Sequence, residues 1–276
     1  MARARRQWLF LAVVGLAATL AVAGWHSVRN ALRGYSSTRG AHVIRFTVHS
    51  RFVHADLHDV LVVPQAGGRN RPLLVFLHGR SSPATSSLTQ QLFDTLHELG
   101  PRAPDVFLPD GGDHSYWHDR RGGNWGTEVL REGIPAALAR SGAAPHRIAI
   151  GGISMGGFGA LDLARIDPRR FCAVGGHSAA IWFTGVDTAA GAFDDAADFD
   201  RHDLIRFARY RRLYRVPVWL DVGREDPFAR ADETLSRELR AHGVRVTFHL
   251  HGGGHSGWSH RMPAYLRWYA SRLEAC

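Results

Sequence analysis

Apolar positions along the chain follow more than one period. Trp8–Ala23 is a continuous apolar run (WLFLAVVGLAATLAVA) behind a basic start. Ile44, Phe46 and Val48 alternate with polar residues, as a half-buried strand requires. Val60–Val63 is a second short run, stopped by Pro64 and the Gly67-Gly68 turn. Leu73–Leu77 is wholly apolar and runs into His78-Gly79. Leu88, Leu92, Leu96 and Leu99 recur at helical spacing, and Gly100 closes that helix. A strand follows at Val106–Leu108, then a helix over 127–140 that Pro135 kinks or restarts. Further strands are expected at Arg147–Ile150, Phe171–Val174, Val216–Val222 and Val244–Leu250. Helices are expected at Met155–Ile166, over 229–242 and over 263–273.

Strands alternating with helices imply an α/β domain over residues 42–276, with a mostly parallel central sheet and helices on both faces. The early strands can pair antiparallel at one edge. Residues 178–214 fit neither period and read as a lid-like insertion over the strand ends.

Residues 1–7 are basic and polar, and Ala21-Val22-Ala23 is a small-x-small cleavage pattern. Together with the apolar run they make residues 1–23 a secretory signal peptide or a membrane anchor. The protein is therefore expected to be secreted or extracytoplasmic, cut after Ala23 or attached to the membrane through residues 8–23. Arg5-Arg6 also permits a twin-arginine signal. Residues 24–41 read as a linker.

Composition narrows the chemistry. The chain has 276 residues, 45% apolar and 21% charged, which excludes disordered, collagen-like and coiled-coil classes. All 34 basic residues are Arg, so no lysine can form a Schiff base or serve a phosphate loop. The net charge of +9 falls to +6 once Arg3, Arg5 and Arg6 are set aside, and no basic block carries interleaved aromatics. No nucleic-acid partner is expected. Two cysteines are too few for a disulfide scaffold. Cys172 reads as a small core residue, with a bridge to Cys276 as the alternative outside the cell.

The strongest chemical signal is Gly152-Ile153-Ser154-Met155-Gly156, a G-x-S-x-G between a strand and a helix. Such a turn holds a serine hydroxyl proud of the sheet, and flanking side chains would collide there. It also places the Met155 backbone N–H at the positive end of a helix, where an oxyanion can be held. A serine needs a base, and the base needs a carboxylate. Asp226, in the Gly223-Arg224-Glu225-Asp226 loop after a later strand, is the expected acid, with Glu225 as the adjacent alternative. Asp221 lies within the strand and should point away. His255, in HGGGHSGW after the last strand, is the expected base. The Arg80 backbone N–H, after Leu77-His78-Gly79, is the expected second oxyanion donor. Asp110, Tyr116, Trp117, Trp182, Phe183 and Trp258 are candidate substrate contacts, against the alternative that the aromatics only pack. His249, His251, His255 and His260, and the pair His114 and His118, have ligand-like spacing. Yet no HExxH is present and no acidic residue sits between paired histidines, so neither metal nor other cofactor is expected.

These residues resemble the esterase D and mycolyltransferase-type branch of the α/β-hydrolases, which includes feruloyl esterases. The similarity covers residues 42–273. It rests on GGISMGGFGAL around Ser154, LHGR at 77–80, LPDGGDHSYW at 108–117, EVLREGIPAAL at 128–138 and GGGHSGWSHRMPAYLRWYA at 252–270. The resemblance implies the α/β-hydrolase fold and an ester or thioester acyl substrate. It matches the family's nucleophile to Ser154, base to His255, acid to Asp226 and oxyanion amides to Met155 and Arg80. One departure is Arg80-Ser81-Ser82, where many relatives carry glycines. The expected activity is an exported serine hydrolase that cleaves small-molecule, glycan or lipid esters through a covalent acyl-enzyme. Acyl transfer to a sugar or envelope alcohol is the alternative. The intact Ser-Asp-His set argues against a non-catalytic binding protein.

Overall fold

The computed structural model describes residues 34–66 and 70–276. The leader, the first part of the linker and the Gly67-Gly68 turn lie outside the described residues.

Strands β1 (His42–Ser50), β2 (Ala55–Val63), β3 (Leu73–Leu77) and β4 (Asp105–Leu108) open the chain. A two-residue-per-strand hairpin, β5 (Asp119–Arg120) and β6 (Gly123–Asn124), stands apart. Strands β7 (Ile148–Ile153), β8 (Ala173–His177), β9 (Val218–Gly223) and β10 (Val246–His251) complete the set. The main sheet has the order β1-β2-β4-β3-β7-β8-β9-β10. Pairing is antiparallel only where β2 meets β1 and β4, and parallel elsewhere.

The central strands are apolar because both faces are covered. All five residues of β3 are buried. Leu73, Val75 and Leu77 face the layer that holds Phe158, Leu161, Leu235 and Leu239. Leu74 and Phe76 face Leu92, Phe93, Leu266 and Tyr269. The period of two divides one strand between two cores. Burial of each such side chain contributes about 1.5–3 kcal/mol, which is why this run tolerates no polar residue.

Several elements depart from the sequence expectation. The helix expected over 127–140 is three pieces: a helix at Trp125–Glu128, a widened turn at Val129–Gly133 and a helix at Ile134–Ser141. Pro135 lies in the first turn of the last piece, where its missing N–H costs least. The final helix begins earlier than expected, at Trp258, and keeps Pro263 inside it. Part of the expected linker is folded onto the body: the Tyr35 ring lies 4.7 Å from Phe93, and the Ser36 amide donates to Gln90 Oε1 at 2.9 Å. The 178–214 segment holds two helices, Ala196–His202 and Leu204–Tyr210. Asp195 and Asp203 cap them by accepting from the amides three residues on.

Cys172 is not a core residue. It is half-buried just before β8 and bonded to Cys276, 104 residues away, with Cα atoms 5.9 Å apart. The bridge ties the end of the last helix to the sheet. No helix among the described residues is long and apolar enough to cross a membrane.

Candidate active site

Ser154 stands at the turn between β7 and the helix Met155–Ile166, with φ 56° and ψ −115°. This left-handed conformation is costly for a residue with a Cβ. Neighbouring backbone holds it: the Ser154 amide donates to the His177 carbonyl at 2.9 Å, and the Ser154 carbonyl accepts from Ala180 at 3.0 Å. The flanking glycines are obligatory for packing. A Cβ on Gly156 would overlap the Leu77 carbonyl, and one on Gly152 would overlap the Gly156 backbone.

The other two groups arrive on loops after β9 and β10. These loops touch backbone to backbone, since a Cβ on Gly223 would overlap the Gly253 carbonyl. The Glu225 amide donates to that carbonyl at 3.2 Å. As a result His255 Nε2 lies 2.8 Å from Ser154 Oγ, and His255 Nδ1 lies 2.8 Å from Asp226 Oδ2. The second Asp226 oxygen accepts from the Phe228 amide at 2.9 Å. Burial alone would raise the Asp226 carboxyl. The hydrogen bonds from His255 and Phe228, with the His255 charge, outweigh it and hold the group below the usual carboxylate range. An ionised Asp226 accepts a hydrogen bond from His255 Nδ1–H, which leaves Nε2 as acceptor for the serine hydroxyl.

Of the two other acidic residues weighed from the sequence, Glu225 is exposed and makes no hydrogen bond to His255. Asp221 is buried under the site, where it accepts from His177 Nδ1 at 2.6 Å, Tyr265 OH at 2.7 Å and Trp219 Nε1 at 2.8 Å.

The Gly79-Arg80 backbone passes beside Ser154: a Cβ on Gly79 would sit 3.6 Å from Ser154 Cβ. Buried His78 fixes the loop. Its Nδ1 donates to the Gly79 carbonyl at 2.9 Å, and its Nε2 accepts from the Gly111 amide at 3.0 Å. Burial pushes this imidazole down, so it stays neutral and keeps that donor–acceptor pattern. Among the described residues, no backbone carbonyl outside the regular elements accepts from the Arg80 or Met155 amide. The Met155 side chain is fully buried, so only its amide can face the site.

A cavity of about 590 Å³ opens over these groups. Arg80, Tyr116, Ser154, His255 and Trp258 are among the residues that line it. Four candidate contacts are corrected. Trp117 is fully buried, filling the space left by Gly111 and Gly159 and donating to the His78 carbonyl at 3.2 Å. Asp110 turns away to accept from the His58 and Gly112 amides. Trp182 stands behind Tyr116, with ring centroids 5.6 Å apart. Phe183 lines a different surface hollow, over the helix Ala196–His202. Phe228 was missed. Its ring lies 5.3 Å from His255, edge-on, opposite the edge-on Trp258 ring at 5.0 Å. Its place two residues after the acid is the signal that could have found it. The His249, His251, His255 and His260 set does not converge. Trp219 packs on His249, Arg261 holds His251, and His260 is exposed.

A mostly parallel sheet with a serine at a strand-to-helix elbow defines an α/β-hydrolase. The chain matches the model of the Putative esterase family over residues 58–271 and belongs to that family, so ester hydrolysis is its class of reaction. Among solved structures it is similar to a ferulic acid esterase, at TM-score 0.73 and 21% identity over 85% of this chain and 98% of that one. An S-formylglutathione hydrolase from Agrobacterium tumefaciens superimposes at TM-score 0.72 and 18% identity, over 86% and 97% of the two chains. MPT51 of Mycobacterium tuberculosis does so at TM-score 0.65 and 19% identity, over 85% and 99%. These identities speak to the shared fold. No curated protein matches the sequence.

Proposed function

We propose that the protein is an exported carboxylic-ester hydrolase in which Ser154, His255 and Asp226 form the catalytic triad. The observation that carries this reading is the unbroken line of two 2.8 Å hydrogen bonds from Asp226 through His255 to Ser154, ending in the cavity. His255 takes the Ser154 proton as Oγ attacks the ester carbonyl carbon. The Met155 and Arg80 amides stabilise the tetrahedral oxyanion. Collapse of that intermediate expels the alcohol, which His255 protonates, and leaves an acyl-Ser154 ester. Water, deprotonated by His255, then releases the acid and regenerates the serine. Asp226 keeps the imidazole in the required tautomer throughout. The apolar leader and the Cys172–Cys276 bridge both support an oxidising compartment outside the cytoplasm.

The test is hydrolysis of p-nitrophenyl esters from acetate to palmitate by the purified protein, with Ser154→Ala as control. Release that depends on Ser154 is expected, and the optimum chain length sizes the acyl pocket. Equal rates for the variant and the parent would remove Ser154 from the reaction. Diversion of the acyl group to an added sugar would instead favour transfer.

A further inference from the structure

Away from the cavity, His118, Asp198 and His202 meet in the interior, and all three are buried. Their ligating atoms lie within 4.8 Å of one another. His118 Nε2 is 3.1 Å from Asp198 Oδ2, and His202 Nε2 is 3.8 Å from Asp198 Oδ1. Ligand atoms around a tetrahedral zinc stand about 3.3–3.4 Å apart, because the bonds are about 2.0–2.1 Å. One donor atom from each residue lies within 4.8 Å of the other two, so small side-chain rotations bring the three to one face of such an ion.

The hydrogen bonding of His202 is that of a metal ligand. His202 Nδ1 donates to Asp162 Oδ2 at 2.7 Å, which leaves the Nε2 lone pair directed at the group. Asp162 is fully buried and held in turn by Arg165 at 2.6 Å. A carboxylate behind a histidine is the usual outer shell of a bound metal. His118 Nδ1 has no partner among the described residues. Asp198 also accepts from the Asp194 amide at 2.9 Å and Arg201 at 2.9 Å, so its orientation is fixed.

We propose that His118, Asp198 and His202 form a structural binding site for a divalent transition-metal ion of the zinc class. Two imidazoles and a carboxylate suit such an ion better than calcium or magnesium. The site shares no residue with Ser154, His255 or Asp226. His118 is two residues from Tyr116 in the cavity wall, and Asp198 and His202 belong to the helix Ala196–His202. The ion therefore clamps the 178–214 segment onto the loop that shapes the cavity, and stands or falls independently of the proposed reaction.

The test titrates the metal-free full chain with zinc chloride by calorimetry and with cobalt(II) by visible absorption. One tight site per chain is expected. His202→Gln should weaken it at least 100-fold. Asp162→Asn, which keeps every ligand, should weaken it roughly 10–100-fold. A His249→Gln/His251→Gln double variant should bind as the parent does. Anomalous diffraction at the zinc edge from crystals of the parent places the ion even if a variant fails to fold. No stoichiometric binding, unchanged affinity in His202→Gln, or an ion located elsewhere would each overturn the proposal.

Discussion

Replacing Asp226 by Asn separates the role of the proposed acid from that of its neighbour Asp221. In the parent, one Asp226 oxygen faces His255 Nδ1 at 2.8 Å and the other accepts from the Phe228 amide at 2.9 Å. An Asn amide must choose. Turning its NH2 toward Phe228 sets two donors against each other. The NH2 therefore faces His255, where Nδ1 must become the acceptor and the proton moves to Nε2. A protonated Nε2 cannot take the Ser154 proton. The loss expected for a triad in the wrong tautomer is about 10⁴-fold in kcat, or roughly 5 kcal/mol of activation free energy. The fold should survive, since volume and the Phe228 contact are kept. Asp221→Asn is the contrasting case. It removes the charge that His177, Tyr265 and Trp219 all face, at about 3–5 kcal/mol of stability. Its kcat at moderate temperature should stay within a few-fold of the parent. Steady-state ester hydrolysis and urea unfolding of both variants give the comparison. A large kcat loss in Asp221→Asn with a small one in Asp226→Asn would refute the assignment of the acid.

Glu128 is buried, with neither carboxylate oxygen hydrogen-bonded, and burial together with the nearby Asp59 charge raises its pKa from 4.5 to about 9. The folded state thus holds a proton that the unfolded state releases, so stability is fully present below pH 4.5 and is lost progressively as pH rises toward 9. The slope is on the order of 1 kcal/mol per pH unit, and Glu128→Gln should flatten it in urea unfolding across that range; identical slopes would contradict the burial argument. Gly156→Ala should lower both soluble yield and activity, because its Cβ overlaps the Leu77 carbonyl; a crystal structure with an unshifted elbow and normal turnover would contradict it. Cys276→Ser should cost about 2–5 kcal/mol of stability and leave kcat unchanged, with unfolding midpoints in oxidising buffer as the measurement and an unaltered midpoint as the contrary result.

The sheet and the meeting of Ser154, His255 and Asp226 were legible because each rests on a local rule. A five-residue apolar run must be a buried strand, and glycines two positions either side of a serine mark a turn too tight for side chains. The places of Asp226 and His255 follow from chain order, since each loop leaves the C-terminal end of its strand. What was not legible depends on approach in space. The helices Ala196–His202 and Leu204–Tyr210 span seven residues each, too short for a helical period to show against aromatic neighbours. Trp117 reads as a loop aromatic free to meet substrate. Its inward turn depends on φ 60° at its own position and on the absence of a Cβ at Gly159, forty-two residues later. The meeting of Cys172 with Cys276 needs the last helix to return along the sheet. The same holds for His118, Asp198 and His202, which converge only because the 178–214 segment folds back over the loop after β4.

The most direct test of the account is covalent labelling by a fluorophosphonate, with the modified residue read by peptide mass spectrometry. One adduct per chain is expected, on Ser154, formed by the folded parent and strongly slowed in His255→Ala. An adduct on another serine, or equal labelling of Ser154 in parent and His255→Ala, would contradict a histidine-activated nucleophile at the elbow.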